Sequence, residues 1–439
     1  MFAPRCLSVS AFVLALFMGA CGYVQLVGFV PDEGARVFAG PGSLFVAGSA
    51  TDADGNHYLV GRVEGVVDLG SMQLEGGTDE TAFVVSFSPS GSPRWLQTWS
   101  GSFSLATSVD VRADRVVVTG YMRGPISGPI PVTTGGRQEL FVFDFERESG
   151  APMPPARTYA SAKSIASAGV FSMLSGHYVG SVDFGLGMLP ASSPVSDYGF
   201  VAVFDSLGEA VWSEAVAGAD VLLNAAFVRA DGSAVAAGVY SDGTINGRPA
   251  EGGDGVVVGF GSDGSTEFEL GFGATGADQV IAVAPYEDGA IIVGFYEGDL
   301  NIGGVDLASR GERDTFVARL GRGGEVVWAR SLDGTGREIL REVAVEGGRI
   351  YVAGTFDDEL RFAGDVFPSM GGDDVMVLVF DADGGEVAGQ QLGGAGDEMV
   401  GGMQLQGGQA WLALVLSGET VLDESGPQEG VLGLRTLSF

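Results

Sequence analysis

Short runs rich in Val, Phe, Ala and Leu alternate along the chain with clusters of Gly, Asp, Asn and Ser. Runs such as HYLVGRV (57–63), VVVTGYM (116–122), IYVAGTF (350–356) and VMVLVF (375–380) carry β-branched and aromatic residues and are too brief for stable helices, which predicts strands. Between them lie DADGN (52–56), PSGS (89–92), RADGS (229–233), SDGS (262–265), GRGGE (321–325) and DADGGE (381–386). Gly, Asn and Asp supply the positive φ of tight hairpins. Beyond the N-terminal segment no stretch holds a capped helical period, so the expected class is all-β.

The pattern repeats seven times. Aligning the glycine-bearing runs gives Gly61, Gly120, Gly176, Gly238, Gly294, Gly354 and, in the last copy, Leu414, spaced 59, 56, 62, 56, 60 and 60. A second marker closes the following run at Phe87, Phe145, Phe204, Phe260, Leu320, Phe380 and Leu434, spaced 58, 59, 56, 60, 60 and 54. Each unit holds four strand-like runs. One such sheet cannot bury both its faces, whereas sheets packed radially around an axis can. Small residues fill the first two runs, where sheets crowd the axis, and Trp95, Trp99, Trp212, Phe268 and Trp328 lie in the outer ones. A solenoid needs shorter units and distinct end caps. The reading is a seven-bladed β-propeller of four-stranded antiparallel blades, its repeats over 36–439. The last unit lacks an outer strand, and YVQLVGFV (23–30) is expected to pair there and close the ring.

Residues 1–21, MFAPRCLSVSAFVLALFMGAC, combine Arg5, an apolar run Leu7–Met18 and small Gly19 and Ala20 before Cys21. That run is too short to span the ~30 Å hydrocarbon layer. The segment resembles a bacterial lipoprotein signal peptide. This implies removal of 1–20, lipid attachment at Cys21, a single domain over 21–439 and a membrane partner; ordinary secretion is the alternative. Gly22 after the cysteine fits an outer-membrane lipoprotein of the cell envelope. Cys6 and Cys21 are the only cysteines, so the mature chain holds no internal disulfide.

Charge narrows the function. Lys plus Arg number 23 against 56 Asp plus Glu, a formal charge of −33. Phosphate backbones repel such a surface, so nucleic acid is excluded as a partner. Two histidines leave little material for metal or His-based catalysis.

TDADGNHYLVGRVEGVVDLG (51–70), GGTDETAFVVSFSPSGSPRW (76–95), RDTFVARLGRGGEVVWARSLDG (313–334) and GGDDVMVLVFDADGGEV (371–387) resemble the bacterial β-propeller repeat family of secreted and lipoprotein-anchored proteins, abundant in myxobacteria-like lineages. The resemblance covers roughly 40–439. It implies the fold and an envelope setting; the family carries no single activity. The third and seventh repeats depart most.

Acids recur in register. Before the third strand stand Asp79, Glu139, Asp197, Asp254, Asp314 and Asp374; sixteen residues before the glycine position stand Asp278, Glu338 and Glu398. One reading is an acidic rim around the channel mouth, suited to cationic partners or Ca²⁺. The other is turn capping. No cofactor is called for, and calcium is the one candidate ion. DADGN (52–56) lacks the ligand spacing of a calcium loop. GSDGSTEF (261–268) misses the sialidase-type Asp box. GEAVW (208–212) and GEVVW (324–328) are similar to quinone-cofactor propellers, which have eight blades and more Trp. His57 and His177 are expected at the surface or rim. The leading reading is a monomeric, non-catalytic envelope binding or scaffold module with a protein or glycan partner. The alternatives are a glycan-active enzyme using two carboxylates, or a lectin-like module using Tyr198, Tyr286 and Tyr296.

Overall fold

The computed structural model describes residues 36–439 apart from 78–79, 131, 134–138, 160–161, 169–170, 193–195, 311–312, 418, 422–426 and 430–431. Among the described residues there is no helix; the strands form seven antiparallel blades of a β-propeller. Blade 1 runs outward from the axis as Ser43–Thr51, His57–Glu64, Thr81–Phe87 and Pro93–Ser100. Blades 2 to 6 follow over 103–159, 162–216, 220–272, 279–331 and 338–394. Blade 7 is Asp397–Gln406, Gln409–Ser417, Leu432–Ser438 and, as its outer strand, Arg36–Phe38.

An N-terminal strand therefore closes the ring. Arg36 lies opposite Leu434 and Phe38 opposite Leu432. Residues 23–30 lie outside the described residues. One sequence register needs correction. Ile350 pairs with Phe380 in blade 6, and its counterpart Ala410 pairs with Leu437 in blade 7. The seventh third-strand marker is thus Leu437 and not Leu434. Leucines three apart on one short strand look alike until the partner strand is known.

The core is divided among the junctions. Seven apolar clusters each join two neighbouring blades. Third strands such as Asp374–Phe380 are buried along their whole length, because a sheet between two sheets has no wet face. Val375, Val377 and Val379 pack toward blade 7, while Met376, Leu378 and Phe380 pack toward blade 5.

The repeated glycine has a local cause. The inner strand bulges at Ala47, Thr107, Asn224, Ile281 and Arg341, each skipped in its pairing register. The carbonyl before each bulge leans across the second strand. A Cβ on Gly61 would overlap the Phe45 oxygen, and one on Gly294 the Gln279 oxygen. In blade 7 the bulge itself is glycine, Gly401 followed by Gly402, and Leu414 stands opposite.

A second device clasps blades at their outer edge. The Trp328 indole donates to the Ala382 carbonyl at 3.0 Å and lies over Gly384, the φ +76° glycine of the next blade's hairpin. Trp95 donates to Arg147 O (2.9 Å) and lies over Gly150; Trp212 lies over Gly264, and Phe268 over Gly324. At the closing junction the Arg36 side chain takes this place over Gly91 and donates to its carbonyl at 2.8 Å. Blade 7 has no hairpin between third and outer strands, and the matching residue of blade 6 is Ala388. Trp328→Ala is expected to cost about 3–5 kcal/mol, the range for emptying a buried aromatic site. Guanidinium unfolding measures it; an unchanged midpoint would deny the clasp a part in joining blades.

Candidate functional site: the hairpin crown and the junction carboxylates

Antiparallel order puts the connections between second and third strands at one end of the ring, with the linkers between blades. That end carries a crown of two-stranded hairpins: Val66–Asp68 with Gln73–Glu75, Thr244–Ile245 with Arg248–Pro249, Leu300–Ile302 with Val305–Leu307, and Glu359–Phe362 with Asp365–Pro368. Several hairpins reach the preceding blade: Asp68 bridges Ala39, and Ser127 bridges Ser100. The blade 7 hairpin, Glu419–Val421 with Pro427–Glu429, extends the sheet of blade 6. Exposed apolar side chains gather on the blade 3 and blade 6 connections: Leu186 (54%), Met188 (65%), Val366 (48%) and Met370 (48%). Sequence reading missed them, because single apolar residues inside Gly-rich loops carry no periodic signal.

The recurring acids are sealed inside the blade junctions. Asp254, Asp278, Asp314 and Asp374 have no exposed surface, and Glu338 and Glu398 have 1%. Asp79 lies outside the described residues; Glu139 and Asp197 are half-buried. The junction acids hold backbone. Asp278 accepts the N–H of Ala274 (2.5 Å) and of Glu297 (3.2 Å). Asp314 accepts Arg310 N–H and the Ser309 hydroxyl (2.7 Å). Asp374 accepts N–H groups of Met370 and Gly394 and the Gln391 amide (3.0 Å). Asp254 accepts the Arg248 guanidinium at 3.1 Å. Parallel bridges between Gly253 and Ala277 and between Arg313 and Arg337, with Asp278 N–H donating to Gly253 O (2.6 Å) and Glu338 N–H to Arg313 O (3.4 Å), set Asp254 beside Asp278 and Asp314 beside Glu338 across junctions. Burial pushes Asp254 and Asp278 above the usual carboxylate range, and burial followed by the Asp314 charge pushes Glu338 up to about 7.

Other candidates also turn inward. His57 is 4% exposed, stacks on Trp411 at 3.8 Å across the closing junction and bonds Thr51 through Nδ1 (2.8 Å). It is neither surface nor rim. Burial holds it down to about 4 against a partly opposing Asp52 charge, so it is neutral at pH 7. Between about pH 6.5 and 4 the unfolded chain binds the extra proton, so His57 contributes stability that is lost as pH falls. His57→Phe keeps an aromatic ring against Trp411 and is expected to gain stability relative to the native chain on acidification through that window. Parallel Tm-against-pH curves would contradict this.

His177 is half-buried. Tyr286 (4%) and Tyr296 (0%) are core residues, so neither offers a ring to a sugar; Tyr198 is half-buried. In DADGN, Asp52 accepts the N–H groups of Asp54 and Asn56, the Asn56 amide and the Tyr58 hydroxyl, with Arg147 at 3.8 Å. That donor set caps an anion and leaves no place for Ca²⁺. Among the described residues no three His, Cys, Asp or Glu side chains group as metal ligands. The Trp residues of GEAVW and GEVVW are the interblade clasps.

The inner strand of blade 6 departs from its neighbours. Arg341 and Glu342 occupy bulge positions where blades 1, 4 and 5 have Ala47 and Gly48, Asn224 and Ala225, and Ile281 and Ala282. Burial pushes Glu342 up to about 8, with Arg341 opposing.

No family model matches the chain, and no curated protein does. Three structures of variant Synechocystis apocarotenoid oxygenase align over 93–95% of this chain and 94–95% of theirs, with 11–12% identity and TM-score 0.42. The extracellular domain of a protein described as a hybrid two-component system of B. thetaiotaomicron aligns over 90% of this chain and 70% of that one, at 7% identity and TM-score 0.22. At these values the likeness carries no functional information.

Proposed function

We propose that the chain is a lipid-anchored, monomeric, non-catalytic propeller of the cell envelope that binds an envelope protein or glycan with its hairpin crown. One observation carries this reading. The facing acids Asp254, Asp278, Asp314, Glu338, Asp374 and Glu398 are sealed into blade junctions, while the crown varies from blade to blade on a repeated scaffold. Variable loops held by rigid sheets are where binding residues concentrate. A glycosidase needs its acid and base within reach of a sugar, and carboxylates of 0–1% exposure offer no such access.

The test is cross-linking of the chain expressed from Met1 in its host envelope. Leu186→Asp with Met188→Asp is expected to abolish the cross-linked partner, whereas Leu207→Asp, at the opposite end and 84% exposed, is expected to retain it. Cys21→Ala is expected to release the protein from the membrane fraction. Equal cross-linking by both sets, or glycan cleavage by the purified chain, would overturn the reading.

A further inference from the structure

The buried acids pose a problem that capping alone does not solve. A Cβ built on Gly273 would meet Asp254 Oδ1 at 2.5 Å and Asp278 Oδ2 at 2.9 Å, so two carboxyl oxygens converge on one point. Asp254 Oδ1 has no hydrogen-bond partner, and neither has Glu338 Oε2 at the next junction. Two adjoining carboxylates and an orphaned buried oxygen are costly together. Arg248 engages the other oxygen of Asp254.

Blade 2 shows what these positions require. Ser104 occupies the place of Glu338, each paired with the residue two beyond the second-strand glycine, and Asp278 stands just before the corresponding pairing at Gln279; Thr81 occupies the place of Asp254 and Asp314. The Ser104 hydroxyl lies 3.0 Å from the Trp99 carbonyl and accepts the Ala82 N–H at 3.0 Å. A neutral O–H that both donates and accepts satisfies this site; an ionised carboxylate only accepts.

We propose that the junctions between blades 4 and 5 and between blades 5 and 6 are each closed by a proton shared between facing buried carboxyls, Asp254 with Asp278 and Asp314 with Glu338. Each proton converts like-charge repulsion into an O–H···O bond and satisfies the orphaned oxygen. Arg248 reaches only Oδ2 of Asp254 and leaves Oδ1 without a donor. Around the first pair stand Tyr240, Arg248, Glu251 and Glu297, the last held by Arg313 at 2.6 Å. Around the second stand Tyr296, Arg310, Asp357 and Asp358, with Arg337 engaged by Asp373 and Asp357. The raised Glu338 value follows from the same arrangement.

The sign follows from proton binding. The folded chain holds protons that the unfolded chain has released, so these junctions contribute stability at low pH that is lost as pH rises through the folded value. For Glu338 that window runs from its unfolded value of 4.5 to its folded value of about 7, and it overlaps the one in which His57 acts with the opposite sign, so the two are separated by using His57→Phe as the background. Thermal unfolding of the full-length His57→Phe chain is expected to show Tm falling by several degrees across that window. Glu338→Gln and Asp254→Asn keep a neutral donor and are expected to flatten the fall; Asp278→Asn serves if Asp254→Asn does not fold. Glu342→Gln is the control for the other group titrating there.

Infrared difference spectra at pH 7 are expected to show protonated-carboxyl absorption that Glu338→Gln diminishes and Glu342→Gln leaves in part. A Glu338→Gln profile superimposed on that of the His57→Phe background, or no such absorption, overturns the proposal. So does stabilisation by calcium chloride at pH 8 that Asp254→Asn abolishes, since the junction would then hold a metal cation in place of a proton.

Discussion

Removal of residues 1–38 is expected to open the ring and cost about 3–6 kcal/mol, from two side chains at ~1.5–3 kcal/mol each. Val37 (2% exposed) and Phe38 (4%) lie in the core of the closing blade, Phe38 within the cluster joining blades 7 and 1. Loss of Arg36 also frees Gly91 from its clasp. The strand Leu432–Ser438 would become an unpaired edge, a template for pairing with a second copy. Guanidinium unfolding with light scattering reads both effects. Unchanged stability in a strictly monomeric truncation would show that the other six junctions hold the circle alone. A milder truncation, removing 1–30 only, separates the role assigned to Tyr23–Val30 from that of Arg36–Phe38: a loss here would mean that the earlier segment extends the closing strand.

Gly294→Val is expected to cost more than about 3 kcal/mol, beyond ordinary overpacking, because the added Cβ meets a backbone carbonyl that cannot rotate away. Gly354→Val should behave alike, its obstacle being the Ile339 carbonyl. The matching position in blade 7 requires a side chain instead of a glycine. Leu414 is fully buried, and Leu414→Gly should lose about 3–5 kcal/mol by removing a packed side chain and loosening the backbone. Chemical denaturation of the three variants distinguishes the cases. A tolerated Gly294→Val would mean that the bulge at Ile281 relaxes, and that the repeated glycine reflects something other than steric need.

How much was legible depended on range. The strand glycine was visible because its cause, a bulge on the neighbouring strand of the same hairpin, lies within about twenty residues of it. The turn acids were visible for a similar reason: Asp381 accepts the N–H groups of Asp383 and Gly385 within its own loop. The outer Trp residues were read as peripheral bulk, but their partners, Gly150, Gly264 and Gly384, lie in the next blade. Burial of Asp254, Asp278, Asp314 and Glu338 was not legible at all. A carboxylate in a Gly-rich loop is ordinarily solvated, and only the close approach of two blades seals these.

The amino-acid pattern alone determined the class, the count of seven, the antiparallel order within each blade and the presence of an N-terminal closing strand, because each follows from local alternation repeated at a fixed interval. Tertiary packing decided which N-terminal residues make the closing contact, the register of the last third strand, the stacking of His57 on Trp411 and the pairing of acids across junctions. Those features join residues of different blades, or of opposite ends of the chain. A repeat specifies each petal, but the chemistry between petals exists only once they are pressed together and water is gone.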